Sequence, residues 1–149
     1  MADYTEQTRQ TTHRRRVENL CNSLRDIHLD ILTEGGLNSH TNNFLSKYIG
    51  VIIRLEGYLG ILREEEQLTA ISGPVRSSPW IESVERILKE NVRPALREAL
   101  ETAKRDMDSV KQNTSSKMPS SAKLFMPNYY EALKRLEEEV ASYSGAIKC

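Results

Sequence analysis

Three histidines, two cysteines, a run of three arginines and a run of three glutamates are the side chains from which chemistry could be assembled in this chain. His13, His28 and His40 lie several helical turns apart, whereas imidazoles that share a metal from one helix sit about one turn apart, so no metal site is expected. Cys21 and Cys149 stand near opposite ends of the chain, and two cysteines make no disulfide framework. That usage predicts a reducing, cytoplasmic setting. Cys21 falls among apolar residues with no His or Asp spaced to activate it, which describes a core thiol. Cys149 is the last residue and lacks the following residues a prenylation motif needs.

Glu64, Glu65 and Glu66 are expected to solvate the last turn of a helix, although acids there oppose the helix dipole. General acid/base work needs carboxylates in a shielded cleft, and the carboxylates of this chain fall mostly on predicted solvent faces. Gly57 and Gly60 sit inside a predicted helix, not between a strand and a helix as a phosphate loop requires. No catalytic, cofactor-binding or metal residue is assigned, and a non-enzymatic protein is the reading.

Arg14, Arg15 and Arg16 form the densest positive run and are the candidate anionic contact. Consecutive helical residues point roughly 100° apart, so three in a row cannot all meet one phosphate backbone. Glu18, Asp26 and Asp30 dilute the field further along. Lys plus Arg equals Asp plus Glu at 21 each, which leaves no global field to draw nucleic acid or an anionic membrane. A solvated helix start is favoured over phosphate contact.

These side chains must be held by helices. Hydrophobic residues at 38% and charged residues at 28% fit a soluble helical domain better than a disordered chain, and 149 residues suit one core. The stretch Phe44 to Leu62 organises the rest. Leu45, Tyr48, Ile52, Leu55, Leu59 and Leu62 recur at three- and four-residue steps; Phe44, Val51 and Tyr58 widen the apolar surface on one side, and Ile49 and Ile53 on the other. A helix this apolar is expected to be central. Lys47, Arg54 and Glu56 interrupt it too often for a membrane span. Gly50 and Gly57 share a narrow strip, each costing about 1 kcal/mol relative to Ala. Close approach of another helix of the same chain is the favoured reason, with an external partner the alternative.

Before this stretch, Val17, Leu20, Cys21, Leu24, Ile27, His28 and Ile31 predict a first helix stopped at Gly35 and Gly36, with frayed turns before Thr12. Residues 37 to 43 should be a polar connection offering caps at Asn38, Ser39 and Thr41. After the Ser72 to Pro79 breaker a third helix begins, with Trp80 as a core or end-capping anchor. Its stripe is Trp80, Ile81, Val84, Ile87, Leu88, Val92, Ala95, Leu96, Ala99, Ala103, Met107 and Val110. Pro94 removes a backbone donor and crowds the carbonyl of Glu90, so a kink or a split is expected there. Asn113 to Pro127 reads as a mobile loop, and Asn128 with Glu131 as a capping box for the fourth helix. Tyr130, Leu133, Leu136, Val140, Tyr143 and Ile147 give that helix its face. The chain ends without a cap, as a domain cut from a longer protein would.

The expected fold is all-α: an antiparallel bundle of four main helices in one domain, 1–149, with the third long and kinked or split near Pro94. Its expected role is a protein-interaction or assembly module, an adaptor domain that binds another protein or a second copy of itself. The alternatives are a membrane-associating bundle using the basic first helix, and a small helical enzyme or ligand carrier. Leu124, Phe125, Met126, Lys117 and Lys123 are the candidate partner-binding residues: an apolar anchor flanked by cations in the expected loop.

Overall fold

Heptad-like spacing of apolar residues persists through nearly all of the chain, and the structure converts it into helix. The computed structural model describes the backbone of residues 2–35, 39–72, 78–111 and 120–147 and most of their side chains; no strand occurs among them. α1 spans Ala2–Gly35, α2 Ser39–Ser72, α3 Ser78–Ile87, α4 Arg93–Lys111 and α5 Ser120–Ile147. A π-helical turn, Leu88–Val92, joins α3 to α4, so the chain forms four rods.

Pairs of side chains fix how the rods lie. Arg14 meets Glu66, Arg25 meets Glu56 and Arg63 meets Glu18, so residue numbers rise on α1 as they fall on α2 and the two are antiparallel. His13 with Glu139 and His28 with Tyr129 give the same descending register for α1 and α5. Lys47 of α2 pairs with Asp106 near the far end of α4, and Arg93 of α4 pairs with Glu137 of α5. The rods close a ring in the order α1, α2, α4, α5, and the α5 to α1 contact is the most extensive. Inside it, Val17, Leu24, Leu55, Leu62, Leu88, Leu96, Leu133 and Leu136 are fully excluded from solvent.

The irregularity expected near Pro94 is a change of helix type within one joined rod. The third rod is continuous, neither split nor capped in the middle, and the Arg93 N–H donates to the Leu88 carbonyl five residues back. This widened turn carries one extra residue just ahead of the proline, where a regular α-turn would drive the pyrrolidine ring into the preceding carbonyls. The apolar positions record the same event. Val84, Leu88, Val92 and Leu96 are all buried although they recur at three successive four-residue steps, a spacing that would drift off one face of an unbroken α-helix.

Three boundaries differ from the sequence reading. α1 begins at Ala2, before the expected end of fraying at Thr12. α2 begins at Ser39, inside the expected connection, because Thr41, Phe44 and Leu45 already bury their side chains on its stripe. Glu64, Glu65 and Glu66 are therefore interior rather than terminal residues, and Glu65 is buried. Most consequentially, residues 120–127 are not loop but the first two turns of α5, with Pro127 inside the helix and Asn128 no cap. Ala122, Met126, Tyr129, Leu133, Leu136, Val140 and Tyr143 form one unbroken buried stripe, and its burial outweighs the single donor lost at Pro127. Tyr129 faces inward where Tyr130 was expected to. The rest of the expected loop, 113–119 with Lys117, lies outside the described residues, as do the side chains of His40 and Trp80 and the whole of Cys149.

Candidate interaction surface

The candidates from sequence scatter when placed on the bundle. Arg14 turns toward α2, where it donates to Glu66 at 2.9 Å and to Glu18 at 2.6 Å. Those bonds raise its pKa, led by Glu66, so its charge is committed internally. Arg16 points toward α5 and Glu139, at 3.5 Å, while Arg15 stays exposed. One helix turn thus sends the three cations in three directions, and they do not compose a phosphate site. Of the partner-binding candidates, Leu124 is 67% exposed, Phe125 and Lys123 are half-buried, and Met126 is 1% exposed and part of the core. Helix geometry separates them, because adjacent residues leave the axis in different directions.

What the sequence missed is that His13 is interior; His28 was already on the expected apolar stripe. His13, expected beside the arginines at a solvated helix start, is 2% exposed. Its Nδ1 lies 3.0 Å from Glu139 Oε1, and since a carboxylate only accepts, Nδ1 carries the proton. Nε2 then accepts from the Tyr58 hydroxyl at 2.6 Å. The ring stacks on Tyr143 at 3.8 Å between centroids, with 5° between planes. Burial lowers the His13 pKa to about 4 against the opposing pull of Glu139, so it is neutral near pH 7. The signal was available: Gln10, His13, Val17, Cys21, Leu24, His28 and Ile31 recur at three- and four-residue steps, and the polar members simply continue the apolar stripe.

His28 anchors a second layer nearer the other end. Its Nε2 pairs with the Tyr129 hydroxyl at 2.8 Å, and the Tyr129 ring meets the edge of Tyr48 at 4.8 Å. Tyr48 donates to Asp106 at 2.6 Å, and Lys47 joins the same carboxylate at 2.9 Å. Burial lowers His28 to about 4 and raises the Tyr48, Tyr58 and Tyr129 phenols above their ordinary value. Cys21 lies on the α1 stripe between the two layers, 3% exposed, its thiol pushed up to about 11 by burial. Two neutral imidazoles and three protonated phenols pack in these layers, with a protonated thiol between them. No group of three His, Cys, Asp or Glu among the described residues is placed to hold a metal ion.

The outer face of α2 is different. Ile49 and Ile53, expected to widen the buried surface, are 46% and 62% exposed, and Leu29 of α1 is 60% exposed. The α1 to α2 register set by Arg25 with Glu56 brings the exposed Leu29 to the level of Ile52 and Ile53 on the neighbouring rod. Three neighbouring cations are paired inside the molecule, Arg25 with Glu56, Arg63 with Glu18 and Lys47 with Asp106, while the exposed Arg54 donates to the Gly50 carbonyl at 3.0 Å. Hydrogen bonds from Arg63 first and Arg14 next lower the Glu18 pKa.

Gly57 and Gly60 are exposed on α2, and the half-buried Gly50 borders the groove between α2 and α4. A Cβ at Gly57 or Gly60 would meet nothing within 4 Å, and at Gly50 only the Arg54 guanidinium at 3.1 Å. Intramolecular helix packing therefore does not explain them. Among the described residues no helix is long and apolar enough to cross a membrane. No protein-family model, curated relative or solved structure matches the chain, so its surface is the only guide to what it does.

Proposed function

We propose that this chain is a non-enzymatic protein-interaction module, of the adaptor or assembly kind, that works through the outer face of α1 and α2. The observation that carries the reading is the exposure of Ile49 and Ile53 on α2, with Leu29 of the neighbouring α1 exposed at their level, beside the Arg25–Glu56 and Arg63–Glu18 pairs. Covering a large aliphatic side chain stabilises by ~1.5 to 3 kcal/mol when complete, and these three are about half available. A protein surface of matching shape collects that free energy. The buried histidines and tyrosines supply rigidity to the scaffold under this face.

The test replaces Ile49 and Ile53 together with Asp. Both are exposed, so the thermal unfolding curve should stay close to wild type, while binding to any protein the wild-type chain captures from native extract should be lost. Retained capture by the doubly charged variant would refute the assignment to this face. Binding of wild type to anionic vesicles, unchanged in the Asp variant, would shift the reading to the membrane alternative.

A further inference from the structure

We infer that the occupant of this face is a second copy of the chain, docked with its α2 antiparallel to the first. The inference rests on the interaction-module reading and specifies its partner. Between Ser46 and Glu64 the outer surface of α2 carries Ile49, Gly50, Ile53, Gly57 and Gly60, all exposed except the half-buried Gly50, with bulk in the first half and its absence in the second. That asymmetry is self-complementary under one operation only. A twofold axis at the level of Leu55 reverses the helix, so residue 53 comes opposite 57, and 49 comes within one residue of 60.

Edges agree as well as levels. At ~3.6 residues per turn, Ile49 and Gly60 both lie toward the α1 edge of this face, and Gly50 and Ile61 toward the α4 edge. A twofold of this kind pairs like edges. Ile49 of one copy therefore meets Gly60 of the other, Ile53 meets Gly57, and the partly covered Ile61 meets Gly50, each bulk against a gap. At the ends, Ser46 comes opposite Glu64, a hydroxyl donor against a carboxylate. A parallel arrangement would instead set isoleucine on isoleucine and leave the glycines facing one another.

Charge and area set how strong such a contact is. The formal net charge is +0, and the flanking Lys47, Arg63 and Glu56 are paired within each bundle, while Arg54 keeps its charge at the α4 edge, where it donates to the Gly50 carbonyl. From Ser46 to Glu64 the face is about 27 Å long and ~10 Å wide, or on the order of 300 Å² before the flank of Leu29 is added. A standard interface covers ~800 Å² per partner, so the pair is reversible and concentration-dependent rather than permanent. The helix propensity lost at Gly50, Gly57 and Gly60 then has a structural reason, close approach of a helix from outside the chain.

Sedimentation velocity of the full chain across a concentration series tests this. The mass should rise from 17.0 kDa toward twice that value. Ile53→Asp should weaken association at least ~10-fold. Gly57→Leu, which fills the gap, should weaken it similarly while leaving the melting temperature equal or higher, a combination that damage to the fold cannot produce. Register is read by oxidation in a Cys149→Ser background. A mixture of Ile49→Cys and Gly60→Cys chains should cross-link to each other. Ile49→Cys alone should not, because its two copies would lie roughly 18 Å apart where a disulfide needs less than ~7 Å. Cross-linking of Ile49→Cys to itself overturns the antiparallel docking. A chain that stays at 17.0 kDa at every concentration overturns self-association; if Ile49→Asp with Ile53→Asp still abolishes capture of a different protein, the interaction-module reading survives that failure, and if it does not, both fall.

Discussion

Acid should loosen this bundle through its histidines before its carboxylates matter much. His13 and His28 each have a folded pKa of about 4, against 6.5 for an unperturbed imidazole. A group whose folded pKa lies below its unfolded one is held neutral by folding. The unfolded chain therefore takes up a proton first, and stability is lost as pH falls from 6.5 toward 4. The full gap is worth about 3 kcal/mol per histidine, and about 2 kcal/mol of it should be gone by about pH 5. Urea denaturation of wild type at about pH 7 and about pH 5 measures the total, to which exposed carboxylates add a common background. His13→Gln retains an amide that can donate toward Glu139 and accept from Tyr58, yet cannot titrate. Its loss between the two pH values should be smaller than that of wild type by about 2 kcal/mol, and the His13→Gln, His28→Gln double variant smaller by about twice that. Equal losses in wild type and double variant would refute the argument, because the histidines would then be solvated in the folded state.

Leu55→Ala should cost about 2 to 5 kcal/mol because Leu55 is fully buried, whereas Ile53→Ala should change stability by less than about 0.5 kcal/mol; chemical denaturation compares them. Met126→Ser should destabilise strongly and Leu124→Ser hardly at all, and similar effects at the two positions would mean α5 does not extend upstream of Pro127. Pro94→Ala restores a backbone donor but should leave helicity by circular dichroism unchanged and stability within about 1 kcal/mol, since the burial of Leu88, Val92 and Leu96 holds the widened turn. In a Cys149→Ser background, a disulfide reagent should react with Cys21 far more slowly in native buffer than in urea, given a thiol that is 3% exposed and pushed up to about 11.

The all-α bundle was legible because α2 and α5 repeat their apolar residues at helical steps over many turns, and periodicity of that length overrides local doubts. Where the reading failed, it gave single residues too much authority. Pro127 and the polar run before it suggested a loop, yet Ala122 and Met126 already continued the stripe. Pro94 suggested a break, whereas the four-residue steps from Val84 to Leu96 were the trace of an inserted residue. His13 was grouped with its arginine neighbours by charge although its position belonged to the core. The exposure of Ile49 and Ile53 could not be read from spacing, because an apolar residue at the margin of a wide stripe satisfies the same period whether a neighbouring helix covers it or not. Only the position of α1 and α4 beside α2 decides that.

The two histidine layers also number the rods. His13 matches Tyr58, Tyr143 and Glu139, while His28, about 22 Å further along α1, matches Tyr129 and through it Tyr48 and Asp106. Leucines and valines tolerate a rod sliding by one heptad, since one aliphatic contact replaces another. Here such a slide would place an imidazole against hydrocarbon at both layers simultaneously and orphan their phenols and carboxylates. The layers act as two teeth of different shape cut at different heights, so only one vertical alignment of four otherwise interchangeable rods lets both engage.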